Sequence, residues 1–127
     1  MKVLAQALAV GLGGFVGSLA RWGMALFVGT MFTGRFPLGT FVINITGSFF
    51  LGWFLTFVTF RYPVSDTVRL GVATGFVGAY TTFSTFMYES TRLNDDGAGL
   101  EAIMNLLGSL IVGLLAVKLG MVLARRP

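Results

Sequence analysis

Four long apolar stretches separated by short polar segments fill nearly the whole chain, from about Val3 to Met31, Leu38 to Phe60, Thr67 to Arg92 and Leu100 to Leu123. Each is close to the roughly 20 residues an α-helix needs to cross a hydrocarbon core of about 30 Å. The pattern predicts an all-α domain, 1–127, of four membrane-spanning helices, and it leaves no length for a soluble catalytic domain. The segments between the runs carry turn residues: Thr33 to Pro37, Arg61 to Asp66 with Pro63 as breaker, and Asn94 to Gly99. The first run follows a lone Lys2, as in a signal peptide. It is too long for one, however, and continues through Arg21 and Trp22 without a small-residue cleavage site, so it reads as a retained span.

The third run is the irregular one. Its middle reads Thr74-Gly75-Phe76-Val77-Gly78-Ala79-Tyr80-Thr81-Thr82-Phe83-Ser84-Thr85-Phe86, and two glycines followed by Thr and Ser residues make a poor uninterrupted helix. The sequence predicts a break there. At membrane depth, non-helical backbone persists only where protein or a water-filled cavity satisfies the freed groups, so the break points to a site.

Composition supports the membrane reading. The chain is 55% hydrophobic and only 11% charged, outside the range of a soluble domain. With neither cysteine nor histidine, it lacks disulfides, thiolate metal sites and the usual proton switch. The basic excess of nine Lys and Arg over five Asp and Glu lies between the apolar runs, where topology explains it better than nucleic acid does. Four spans put both termini on one side, together with Lys2, Arg61, Arg69, Arg125 and Arg126. Arg21, Arg35 and Arg92 fall opposite, and Lys118 belongs clearly to neither side. The positive-inside rule mildly favours cytoplasmic termini, with a bias weak enough to permit both orientations.

Small residues recur four apart: Gly13 and Gly17, Gly14 and Ser18, Gly71 and Gly75, Ser109 and Gly113, Ala116 and Gly120. Such pairs let helix backbones approach closely. Four spans enclose little volume, so part of this packing is expected between subunits.

The polar residues inside the spans are few. Asn44 has Thr40 one turn away on the same face, which suits either helix-to-helix hydrogen bonding or a place beside a polar pathway. Thr81, Thr82, Ser84 and Thr85 surround Phe83 and Phe86, which are three apart and share a helical face. Hydroxyls donate to anions, and the edge of a phenyl ring carries the positive part of its quadrupole, so a small anion can be held here without a formal charge. The alternative is hydroxyls bonded to their own helix with the rings as packing. Asn105 and Ser109, one turn apart in span four, either line a path or pack against protein. Arg21 either snorkels to the interface beside Trp22 or forms an electropositive vestibule. Glu89 is an interfacial carboxylate, an arginine partner or part of a water-filled mouth. Asp95, Asp96 and Glu101 read as solvated loop rather than a calcium site.

These segments resemble the small bacterial fluoride channels of the Fluc, or CrcB, family. The likeness is carried by Gly13-Gly14-Phe15-Val16-Gly17-Ser18-Leu19-Ala20-Arg21-Trp22, by Gly39-Thr40 through Asn44 to Gly47-Ser48-Phe49, and above all by Gly75 through Phe86; it continues through Gly108-Ser109. The resemblance implies a dual-topology, antiparallel homodimer in the bacterial inner membrane, with two fluoride pathways along the subunit interface. It also implies passive fluoride efflux, no enzymatic activity and no organic cofactor. The family's pore asparagine falls on Asn44 and its paired phenylalanines on Phe83 and Phe86. Its hydroxyl track falls on Thr40, Thr82, Ser84 and Ser109, with Asn105 on the same helix as Ser109. Arg21 matches its vestibule arginine and Glu89 the acidic residue after the ring pair. A structural sodium ion is implied at the dimer's centre, held by the main-chain carbonyls of Gly78 and Thr81. The sequence departs at Ala79, where many members have a second glycine, at Met87, where serine is common, and at Gly113, where some carry serine.

Two rivals come from other classes. A small multidrug exporter is also a short four-span antiparallel dimer, but it needs a membrane-embedded carboxylate for proton coupling. Span one has no acid, and Glu89 is the only candidate inside an apolar run. A non-transporting scaffold subunit would account for the glycines but not for hydroxyls clustered at a helix break.

Overall fold

Residues 1–126 are described by the computed structural model. Helix α1 spans Lys2–Met31 and α2 spans Leu38–Phe60; the third span is in pieces, and the chain ends in α6, Gly99–Arg125. The pieces are α3 (Asp66–Leu70), a π-helical segment (Gly71–Val77), α4 (Gly78–Tyr80) and α5 (Phe83–Asp95). There is no strand among the described residues. Helices α1, α2 and α6 are each long and apolar enough to cross a membrane. At one end Lys2 Nζ bonds Asp66 Oδ2 at 3.0 Å and Arg125 lies over the Phe60 ring at 5.3 Å, so the start of α1, the α2–α3 turn and the end of α6 lie together.

The outside is apolar and the inside is small. Leu4, Leu8, Leu12, Phe15 and Leu19 are exposed along α1, as are Leu107, Leu110 and Leu114 along α6, a surface suited to lipid or a second subunit rather than water. Between helices the contact is nearly backbone to backbone. A Cβ on Gly17 would collide with the Phe76 carbonyl, one on Gly13 with the Gly71 carbonyl, and one on Gly75 would stand 2.6 Å from the Val10 oxygen. The predicted Gly13–Gly17 and Gly71–Gly75 pairs therefore face each other within one subunit. On the other side, a Cβ on Gly52 would lie 2.5 Å from the Val117 oxygen, and one on Gly120 would meet the Phe49 carbonyl.

The third span breaks at Thr81 and Thr82, both extended, with φ/ψ of −80°/159° and −149°/119°. The π-helical turn just before it is not foreshadowed by residue pattern. Such turns occur mostly as short insertions inside α-helices, frequently at functional sites, and this one lies along the glycine-lined contact with α1. Ser65 caps α3 by accepting from the Val68 amide.

Helix α5 continues through Asn94 and Asp95, which the sequence reads as loop, because its end is closed by a specific turn. Gly97 has φ of +76°, the Ala98 amide bonds the Leu93 carbonyl at 2.8 Å and the Gly97 amide bonds that of Asn94 at 3.1 Å. This is the double bond of a glycine-terminated helix. Leu93 and Ala98 pack with Ala102 in the same turn.

The Lys2 bond and charge hold the Asp66 carboxyl below its ordinary value of 3.8. A depressed folded-state pKa stabilises the fold above the unfolded value, and that contribution is lost as the pH falls through the folded one. Thermal melts in detergent should therefore show Asp66→Asn slightly less stable than the parent at neutral pH, with the gap closing below about pH 3.8. An unchanged gap at low pH would show that the pair contributes nothing.

Candidate functional site

The break is built by side chains that replace helical partners. The Thr82 amide, which would donate to the Gly78 carbonyl in an unbroken helix, donates to Asn44 Oδ1 at 2.8 Å. Asn44 Nδ2 returns a bond of 3.0 Å to the Thr82 carbonyl. One residue of α2 thus satisfies both main-chain groups at the break, as buried backbone requires. The Thr85 amide, whose helical acceptor would be Thr81, instead bonds the Thr82 hydroxyl at 3.3 Å, which makes Thr82 the cap of α5. The carbonyls of Gly78, Ala79, Tyr80 and Thr81 are left without their helical donors.

Beside the break is a cavity of about 240 Å³ lined by Asn44, Ser48, Thr81, Thr82, Phe83 and Phe86, with Gly47, Leu51 and Val77 completing its wall. Asn44, Thr82 and both phenylalanines, expected at a site from sequence, are brought together here. The rings of Phe83 and Phe86 are 6.3 Å apart and inclined at 59°, and Phe83 is largely exposed. Ser48 also lines the cavity, a placement that its position within the longer Gly47-Ser48-Phe49 motif does not by itself reveal.

The hydroxyls divide by what they bond. Thr81 Oγ1 donates to the Val77 carbonyl, the local bonding that was the alternative reading. Thr82 donates to Thr85 Oγ1 at 3.0 Å, so the outermost hydrogen of that pair belongs to Thr85. Ser84 is exposed. Asn44 spends one amide hydrogen on Thr82 and keeps a second. Nearby, Thr46 Oγ1 and Tyr80 Oη meet at 2.9 Å, tying α2 to α4.

A larger cavity of about 680 Å³ lies at the loop end, lined by Arg35, Phe36, Tyr88, Glu89, Arg92 and Asp96 among others. Phe86 lines the first cavity and Glu89 the second, so one turn of α5 separates them. The buried Thr40 hydroxyl donates to Glu89 Oε1 at 2.9 Å, while Glu89 Oε2 is buried without a partner. Arg21 is half-exposed on α1 and lines neither cavity; the arginines at the larger one are Arg35 and Arg92. Asn105 is wholly buried, and Ser109 reaches it at 3.4 Å. No cluster of acidic side chains able to hold a metal occurs among the described residues.

The family model described as CrcB-like protein, Camphor Resistance (CrcB), matches residues 8–121. The chain is 42% identical over 118 residues to a protein of Chloroflexus aurantiacus named Fluoride-specific ion channel FluC, covering 93% of this chain and 94% of that one. It is 44% identical over 117 residues to Fluoride-specific ion channel FluC 1 of Brucella melitensis, covering 91% and 95%. It is 45% identical over 117 residues to the FluC of Acidobacterium capsulatum, covering 92% and 94%.

Proposed function

This chain belongs to the CrcB family, and from that premise we propose that it is one subunit of a fluoride-selective channel, a multi-pass membrane protein and not an enzyme. It works as an antiparallel homodimer in the bacterial inner membrane and lets fluoride leave the cell down its gradient. The observation that carries this reading is the cavity at the broken third span, where Asn44, Thr82, Phe83 and Phe86 converge.

Fluoride accepts hydrogen bonds and cannot donate them, and it holds its water tightly. A selective path must therefore supply donors while binding weakly enough for release. Asn44 offers its second N–H, Ser84 and Thr85 offer hydroxyl hydrogens, and the two rings offer positive edges. None of these is a full charge, which keeps the ion mobile. From the cavity the proposed track passes Phe86 and one turn of α5 to Thr40 and Glu89, with Ser109 on the neighbouring helix. Arg21, which lines neither cavity, is assigned to the vestibule by the family likeness, as a charge that raises the local anion concentration.

A structural sodium ion fits the same break. A hard cation takes oxygen ligands, and the carbonyls of Gly78 and Thr81, which the family likeness implies as its ligands, are among those freed at the break. The ion would supply positive charge linking the two broken spans of a dimer.

The test is fluoride efflux from liposomes, followed with a fluoride electrode and compared with chloride. Fluoride release without a proton gradient is expected, with chloride retained. Phe83→Ile and Phe86→Ile should each lower the fluoride rate by at least about tenfold, the effect of losing roughly 1.4 kcal/mol of ion stabilisation. Wild-type flux in folded variants would remove the rings from the path; flux that requires a proton gradient would favour an exporter.

A further inference from the structure

We propose that Asn105 is a positioning residue: through Ser90 it holds the turn of α5 that carries Phe86, and through its oxygen it holds the hydroxyl of Ser109. This rests on the channel reading above. Asn105 is 0% exposed and Ser90 4% exposed, so the pair is sealed between α6 and α5. Asn105 Nδ2 donates to Ser90 Oγ at 2.9 Å, and Ser90 Oγ donates to the Phe86 carbonyl at 2.7 Å.

The direction of these bonds follows from hydrogen count. A hydroxyl has one hydrogen, and that of Ser90 is spent on Phe86, so Ser90 must accept from Asn105. The amide nitrogen is thereby turned to Ser90 and the amide oxygen to Ser109, whose hydroxyl reaches it at 3.4 Å. An amide buried in this way costs free energy unless it is bonded, and a leucine would fill the site without that cost. What the amide adds is register, because only one placement of α5 on α6 satisfies every member of the network.

Placement matters most on this element. Helix α5 has 13 residues and starts at a break, so no continuous helix aligns it with the preceding span. Asn44 to Thr82 and Thr40 to Glu89 pin it to α2. Asn105 to Ser90 is its polar pin to α6, one turn beyond Phe86. The same residue whose ring lines the cavity thus has its carbonyl bonded to Ser90, the α5 side chain that Asn105 holds from α6. The bond from Ser109 is long and therefore weak, so its hydrogen can swing from Asn105 to a passing anion at little cost. Asn105 acts on the path without touching the ion.

The experiment compares wild type, Ser90→Ala, Asn105→Leu and the exchanged pair Ser90→Asn with Asn105→Ser, all full-length in liposomes, by fluoride efflux. Ser90→Ala removes one oxygen and leaves a buried N–H unpaired, which should lower the fluoride rate about tenfold. Asn105→Leu should lose a similar factor. The exchanged pair re-forms the bond between α5 and α6 with its ends reversed, without the bonds to Phe86 and from Ser109, and should recover part of the rate the single variants lose, whereas residues that matter only for packing would make the double variant worse than either single one. Wild-type flux in Ser90→Ala, or no recovery in the exchange, overturns the proposal. Should Ser90→Ala fail to give monodisperse protein, the exchange decides alone: recovery supports the pin, and its absence refutes it. If wild type itself passes no fluoride, the channel reading fails instead.

Discussion

Asn44→Leu is expected to abolish fluoride flux and to be among the most destabilising single changes in the chain. Leucine fills nearly the same volume but takes away the partner of the Thr82 amide and one of the two donors to the Thr82 carbonyl, which as the N-cap of α5 keeps its first helical bond. Thr82 is buried, so its amide cannot turn to bulk water. The orphaned amide costs about 1–3 kcal/mol. That is a large part of the stability of an ordinary domain. The break would then close toward a regular helix or collapse, and either outcome moves Thr82, Phe83 and Phe86 away from the cavity. Amide exchange over residues 81–85 gives a direct reading: the Thr82 amide should exchange much faster in the variant. Unchanged exchange together with wild-type flux would show that Asn44 does not hold the break.

The second large effect is expected at the contact between α1 and the π-helical segment. Gly13→Ala with Gly17→Ala should prevent folding, or lower the melting temperature in detergent far more than any surface change. The new Cβ atoms would meet the Gly71 and Phe76 carbonyls, which are backbone on both sides and cannot rotate away. Overpacking typically costs about 1–3 kcal/mol per site, and these two sites share one interface. Gly11→Ala is the internal control. It lies on the same helix with nothing within 4 Å of the added carbon, so it should be neutral or gain up to about 1 kcal/mol from better helix propensity. Equal damage at Gly11 and Gly17 would mean that close approach is not what the glycines provide.

Much of the architecture was legible because a bilayer leaves few choices. Apolar runs of the right length must be helices, since any other backbone would carry unsatisfied groups into hydrocarbon. The apolar runs mark the helices by that constraint, and the glycines and hydroxyls around Thr81 mark the interruption in the third. The same segment carried the likeness to the CrcB family, which the family model then matched over residues 8–121. Small residues four apart announced close packing but not its partner. Gly13 and Gly17 turned out to face Gly71 and Phe76 of the same subunit, a pairing that depends on the order of helices in the bundle.

What remained hidden was the assignment of hydrogen bonds between distant residues. Ser90 looks like any serine in a polar stretch, and only the packing of α5 on α6 seals it against Asn105. Thr82 was expected as a donor to an ion, yet it caps α5 and gives its hydrogen to Thr85. Arg35 and Arg92 counted only toward topology until the fold put them on one cavity wall with Glu89.

By itself the sequence determined the solvent of this protein, its helical class, the place of its break and, through motif, its family. Each of these rests on local composition and period, which hydrophobicity and backbone satisfaction read directly. Tertiary structure alone decided which carbonyls the break sets free, which hydroxyls keep a hydrogen to give, and which helices hold Phe86 in place. A donor has one hydrogen for each bond it makes, and its partner here lies on another span, 38 residues away for Asn44 and Thr82 and 49 for Thr40 and Glu89.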